Sequence, residues 1–151
     1  MGLKTYFDFA EDDYQYLQNT AKDGYVANTM GALAAGICEK YLKHLTDKYV
    51  EPASLEESTE KTTVLRTHNL KRLVRYLEGA LSIRFTDEVR AAVNEVDGYY
   101  FSTRYPGDEA IELTAEDIQR AVEATRVCRE SVLAIIAGFE EEQSETKEIT
   151  K

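Results

Sequence analysis

Between Tyr25 and Tyr49 apolar residues recur every three or four positions: Val26, Met30, Leu33, Ile37, Tyr41, Leu45 and Tyr49. That spacing draws one stripe along an α-helix and does not fit the strict alternation of a half-buried strand. Beside the stripe, Gly31, Ala34, Ala35 and Cys38 form a face of small residues. Small side chains let a partner helix come close, so this segment belongs at the centre of a helical core. The stripe is read as packing rather than as a cofactor box.

The segments around it carry helical spacing too. Tyr6, Ala10, Tyr14, Leu17 and Ala21 follow Thr5, which is expected to cap a first helix with Asp8 as its capping-box partner. Gly24 is a stop signal. Pro52 ends the central helix, and the acidic stretch 51–60 is expected to be a loop. A third helix is predicted over 62–81, with Leu70, Leu73, Val74, Leu77 and Leu81 on its buried side. Thr86 is expected to cap a fourth, in which Asp87 and Glu88 suit the positive helix end. The stretch 99–109 breaks the pattern, because Pro106 disfavours helix at Tyr105 and Pro-Gly reads as a turn. Thr114, with Asp117, opens a last helix whose stripe is Ile118, Val122, Thr125, Val132, Ile136 and Phe139. No stretch reads as a strand. Long helices joined by mostly short loops predict an all-α antiparallel bundle. The helical domain is expected over 1–140, and the apolar period stops there, so 141–151 is expected to be a disordered acidic tail.

Charge narrows the function classes. The chain has 18 Lys and Arg against 28 Asp and Glu, a formal net charge of −10. Such a surface repels nucleic acid and anionic membrane unless its cations are gathered, so non-specific nucleic-acid binding is not expected. Cys38 and Cys128 are the only cysteines and form no CxxC pair; two buried thiols in a reducing cytoplasm are expected. Residues 1–10 carry no signal-peptide pattern and no apolar run reaches a membrane span, so a cytoplasmic chain is expected.

Two clusters could carry chemistry. Lys61, Arg66, Lys71, Arg72 and Arg75 fall within residues 61–76 without an intervening acid. On a continuous helix His68, Lys71, Arg72 and Arg75 would share one face, where cations could hold phosphate and His68 could move a proton. Asn69, next to His68, could orient a phosphate or a water. The alternative is a solvated helix back paired with acidic neighbours. The second cluster is Thr103-Arg104-Tyr105-Pro106, with Tyr99, Tyr100 and Phe101 before it. Aromatic faces can hold a guanidinium against a phosphate or base; alternatively Arg104 pairs with Asp108 or Glu109 and the tyrosines plug the bundle end. His44 is the only other histidine, and no metal-ligand spacing, phosphate loop or nucleophile elbow occurs. No metal or cofactor is expected.

These elements in order resemble the HEPN family, named for a nucleotide-binding domain of higher eukaryotes and prokaryotes. The resemblance rests on Phe9-Ala10 with Asp12-Asp13, on the run Ile37 to Lys43 (Ile-Cys-Glu-Lys-Tyr-Leu-Lys), on His68-Asn69-Leu70 with Leu73, on Tyr99-Tyr100, and on Thr103-Arg104-Tyr105-Pro106. It spans about residues 5 to 139. It implies an up-and-down four-helix bundle with an additional short helix, five helices in total, commonly a homodimer. It also implies a small nucleotidyltransferase as partner, in some cases as a toxin–antitoxin pair. Other members of the family are metal-independent ribonucleases that use an Arg followed, after four to six residues, by a His across a dimer cleft. Here no His follows Arg104, and Arg66 precedes His68 with one residue between them. That departure favours a non-catalytic module that binds a nucleotide or partners the nucleotidyltransferase. The alternatives are a ribonuclease toxin with a rearranged site and a purely structural homodimer. The ligand-binding candidates are His68, Asn69, Lys71, Arg72, Arg75, Arg104 and Tyr105, and none is assigned a catalytic role.

Overall fold

The computed structural model describes residues 2–149, all of whose regular elements are helices. They are α1 (Tyr6–Lys22), α2 (Asn28–Tyr49), α3 (Leu55–Leu65), α4 (Leu70–Ala80), α5 (Asp87–Val96), α6 (Tyr99–Ser102) and α7 (Ala115–Ile149). No described helix is long and apolar enough to cross a membrane.

Local chemistry sets most helix starts. Thr5 Oγ1 accepts from the Asp8 N–H at 3.1 Å, and the Asp8 carboxylate accepts from the Thr5 N–H at 3.0 Å, which closes the predicted capping box. The bonds from the Lys4 and Thr5 N–H groups hold the Asp8 carboxyl below the usual carboxylate range. Thr114 and Asp117 make the same reciprocal pair at the start of α7 (2.9 and 3.2 Å). Thr86 Oγ1 accepts from the Val89 N–H at 3.3 Å to start α5.

The central position of α2 follows from its stripe. It packs against each of the other six helices. Met30, Ile37, Tyr41 and Leu45 are buried, together with Gly31, Ala34, Ala35 and Cys38 from the small face. Val26 departs from the expectation: it precedes the helix and is exposed. α1, α5 and α7 lie around α2, with α7 touching all three of its partners. Cys38 and Cys128 are free and buried, and their mutual contact and burial push the Cys38 thiol well up.

Three expectations are corrected. The expected loop 51–60 contains the start of α3: Ser54 Oγ accepts from the Glu57 N–H at 3.1 Å, and Glu57 returns the bond to the Ala53 N–H at 2.7 Å. The predicted helix 62–81 is two helices, α3 and α4, because Asn69 caps α4 by accepting from the Arg72 N–H at 2.9 Å. An N-cap residue takes extended backbone, so no helix can run through it. With α6, a single turn within the expected break, the count among the described residues becomes six helices of ten residues or more plus one of four. Finally, α7 runs on to Ile149, where an irregular tail from 141 is expected. Residues 140–145 are mostly Glu and Gln, which lose little side-chain freedom in a helix, so helical backbone outlasts the apolar stripe. The tail residues Thr150 and Lys151 lie outside the described residues.

Candidate functional site

The break between α3 and α4 builds the site. Thr67, His68 and Asn69 form the linker, and the Asn69 N–H donates to Thr67 Oγ1 at 3.1 Å. Across from it, α5 ends at Val96 and Asp97 follows, its Oδ1 accepting from the Leu70 N–H at 3.1 Å. That bond ties the end of α5 to the start of α4. Gly98 then takes a left-handed φ of 89°, a conformation costly for a residue with a Cβ, and launches α6. Tyr99 packs toward α2, whereas Tyr100 and Phe101 meet His68.

His68 sits at the middle of a constellation drawn from four segments. Its Nδ1 lies 2.9 Å from Glu39 Oε1 on α2. The other oxygen of Glu39 takes the ammonium of Lys43 at 3.2 Å, and both side chains are largely enclosed. A carboxylate only accepts, so His68 Nδ1 carries the proton and Nε2 is left for another partner. The His68 ring stacks on Tyr100, with centroids 4.1 Å apart and planes 10° from parallel. Phe101 stands edge-on to both rings, at 6.2 Å from His68 and 4.9 Å from Tyr100. The guanidinium of Arg104 lies 4.7 Å from the Tyr100 centroid and 5.6 Å from that of Tyr105.

His68 and Arg104 therefore pack on the same tyrosine. Arg104 is exposed and, among the described residues, has no carboxylate within 4 Å, so neither Asp108 nor Glu109 pairs with it. A hollow of about 390 Å³ opens beside the stack, lined by Thr67, His68, Asn69, Asp97, Gly98, Tyr100 and Phe101.

The other sequence candidates divide. Asn69 borders the hollow, and Tyr105 flanks Arg104. Lys71 and Arg72 stand exposed in the first turn of α4, immediately after the cap. Arg75 lines a separate hollow with Glu51, Glu57 and Glu60. The expected single basic face is thus corrected: His68 is outside α4, and Arg75 faces the acids of α3. Lys61 closes the end of α2 instead, donating to the carbonyls of Asp47 (3.1 Å) and Val50 (2.8 Å). Glu39 and Lys43 were not among the site candidates, although both lie in the run Ile37 to Lys43 and stand four residues apart on one helix. No cluster of three or more metal-ligating side chains occurs among the described residues.

This arrangement offers a guanidinium free for an anion, aromatic faces for a planar ring, and an imidazole whose tautomer is set by a carboxylate. No curated protein and no solved structure matches the chain. The model of the HEPN domain matches residues 58–135, from within α3 through most of α7 and just over half of the chain. By that match, over an all-helical fold carrying His68 and Arg104 on one stack, the chain belongs to the HEPN domain family.

Proposed function

We propose that the chain is a non-catalytic HEPN module that binds a nucleotide or a nucleotidyl group. Arg104 holds the phosphate, and the ring faces around Tyr100, Phe101 and Tyr105 receive the base. The supporting observation is the unpaired Arg104 guanidinium held 4.7 Å from the Tyr100 ring, on which His68 also stacks. Guanidinium donors match phosphate oxygens two at a time, and a nucleobase gains from any aromatic face. Lys71 and Arg72 add positive potential from the start of α4. Arg75, beside Glu51, Glu57 and Glu60, adds little. The setting we propose is a homodimer that partners a small nucleotidyltransferase in a toxin–antitoxin kind of pair.

Calorimetric titration with AMP tests the reading. Binding is expected to weaken several-fold from low to high ionic strength, because exposed ion contacts are screened. Salt-insensitive binding would place the nucleotide away from Arg104, and absence of binding would remove the proposal.

A ribonuclease with a rearranged site is the second reading. The Glu39–His68 bond favours it, since a carboxylate that fixes the imidazole tautomer leaves Nε2 as a base. RNA cleavage by the pure protein, abolished by His68→Ala, would establish that reading over the first. Intact RNA with both proteins leaves the binding module.

A further inference from the structure

The loop that carries Arg104 is hung from the first turn of α2. Its base is closed by the Ile111 N–H, which donates to the Ser102 carbonyl at 2.8 Å. Just beyond, the Asn28 side chain grips the backbone from both sides. Its Nδ2 donates to the Ile111 carbonyl at 2.5 Å, and its Oδ1 accepts from the Leu113 N–H at 2.8 Å. An amide side chain bonded in this way replaces a neighbouring strand's backbone. These bonds join positions more than eighty residues apart.

Asn28 is the first residue of α2, one past the cap position, and its side chain bonds the loop rather than its own helix. Here α2 has no side-chain cap at all: Ala27 occupies the cap position. The start of α2 thus goes without a side-chain cap, while its first side chain makes a contact across more than eighty residues.

One turn further on, Gly31 supplies the seat. A Cβ there would overlap Leu113 Cδ1 and lie 3.2 Å from Thr103 Cγ2 and 3.3 Å from Tyr99 Cδ2. The segment on either side of Arg104 thus approaches α2 as closely as glycine allows. Thr103 completes the turn, its Oγ1 donating to the Tyr99 carbonyl at 2.5 Å. Tyr99, Thr103, Ile111 and Leu113 all bear on the start of α2, and Arg104 lies between them.

We infer that Asn28 is a positioning residue of the candidate site: its amide sets where the 103–112 loop sits, and so holds Arg104 on the Tyr100–His68 stack. The ligand consequence rests on the nucleotide reading above, whereas the positioning can be read without any ligand. A guanidinium held in place binds phosphate without first being ordered, and loss of that order weakens affinity.

The test compares wild type with Asn28→Ala and Asn28→Asp. Aspartate keeps the acceptor for Leu113 and suits a helix start, but it cannot donate to Ile111, so it loosens the loop while favouring α2. Circular dichroism melting confirms that each variant is folded. Three readouts follow: amide hydrogen exchange over 102–113, the NMR shift of the His68 ring protons, which Tyr100 stacking displaces, and AMP affinity by calorimetry. Both variants are expected to speed exchange over 102–113, to move the His68 ring signals toward the unstacked value, and to weaken AMP about tenfold. Unchanged exchange and ring signals in folded variants would overturn the inference, as would altered signals with AMP affinity intact. If wild type binds no AMP, the nucleotide reading falls by itself, and the positioning role stands or falls on exchange and ring signals.

Discussion

Arg104→Ala is expected to weaken AMP binding by about tenfold or more while moving the melting temperature by only a few degrees. The two expectations come from different contacts. Toward a phosphate, one charge-assisted hydrogen bond contributes about 1.5–3 kcal/mol, which is roughly tenfold to a hundredfold in affinity. Toward the protein, Arg104 offers only its packing on Tyr100 and Tyr105. A cation over an exposed ring is worth about 0.5–1 kcal/mol, and a domain of this size shifts by roughly 2–4 °C per kcal/mol. Arg104→Lys separates charge from shape: the ammonium keeps the attraction but loses the planar fork and the stacking. It should fall between wild type and alanine. A fall of ten degrees or more with Arg104→Ala would make the residue architectural and leave the site without its anion anchor.

The largest loss of stability is expected from Tyr41→Ala. Tyr41 is fully buried at the middle of α2, with Phe7 at 5.9 Å and Tyr14 at 6.4 Å between ring centroids. Its hydroxyl donates to Glu11 Oε1 at 2.6 Å. Arg129 on α7 grips the same carboxylate, Nε to Oε1 at 2.7 Å and Nη2 to Oε2 at 3.1 Å, and its guanidinium lies 5.1 Å from the Tyr14 ring. The Glu11 carboxylate therefore ties α1 to α2 through Tyr41 and to α7 through Arg129. Removing the Tyr41 side chain leaves a large cavity and an acceptor short of a donor, and buried aromatic truncations cost about 3–5 kcal/mol. The melting temperature should fall by roughly 10 °C or more. Tyr41→Phe keeps the volume and loses one hydrogen bond, for about 1 kcal/mol. Equal effects of the two variants would show that the hydroxyl, not the packing, carries the residue's contribution.

The same cluster sets an acid limit. The bonds from Arg129, and to a lesser degree from Tyr41, hold the Glu11 carboxyl below its ordinary value of 4.5. A carboxyl depressed in the folded state contributes stability above its unfolded value and loses it as pH falls through the folded one. The stability difference between wild type and Tyr41→Phe should accordingly shrink at pH below about 4.5.

How much could be read in advance depended on the range of the interaction. The starts of α1, α5 and α7 were legible because Thr5, Thr86 and Thr114 each bond a residue three positions on. The buried face of α2 was legible because helical spacing is itself local. The break at 66–69 left only a faint trace: the apolar step from Leu65 to Leu70 is five positions rather than three or four, and Asn69 stands where a cap would. Losing that break also misplaced His68 on the outer face of a continuous helix. The Arg104 turn was legible as a turn from Pro106-Gly107, and its aromatic surroundings from Tyr99 to Phe101.

What the amino-acid order alone determined was the helical character of the chain, its central helix, and the residue types that gather near Arg104, since all of these follow from spacing and from bonds within a few positions. Only the folded molecule decided that Glu39 meets His68 across 29 positions, that Tyr100 brings His68 and Arg104 together, and that Asn28 holds a loop lying more than eighty residues away. The physical reason is that each of those contacts is made by the packing of α6 and the loops on α2, and burial is indifferent to distance along the chain.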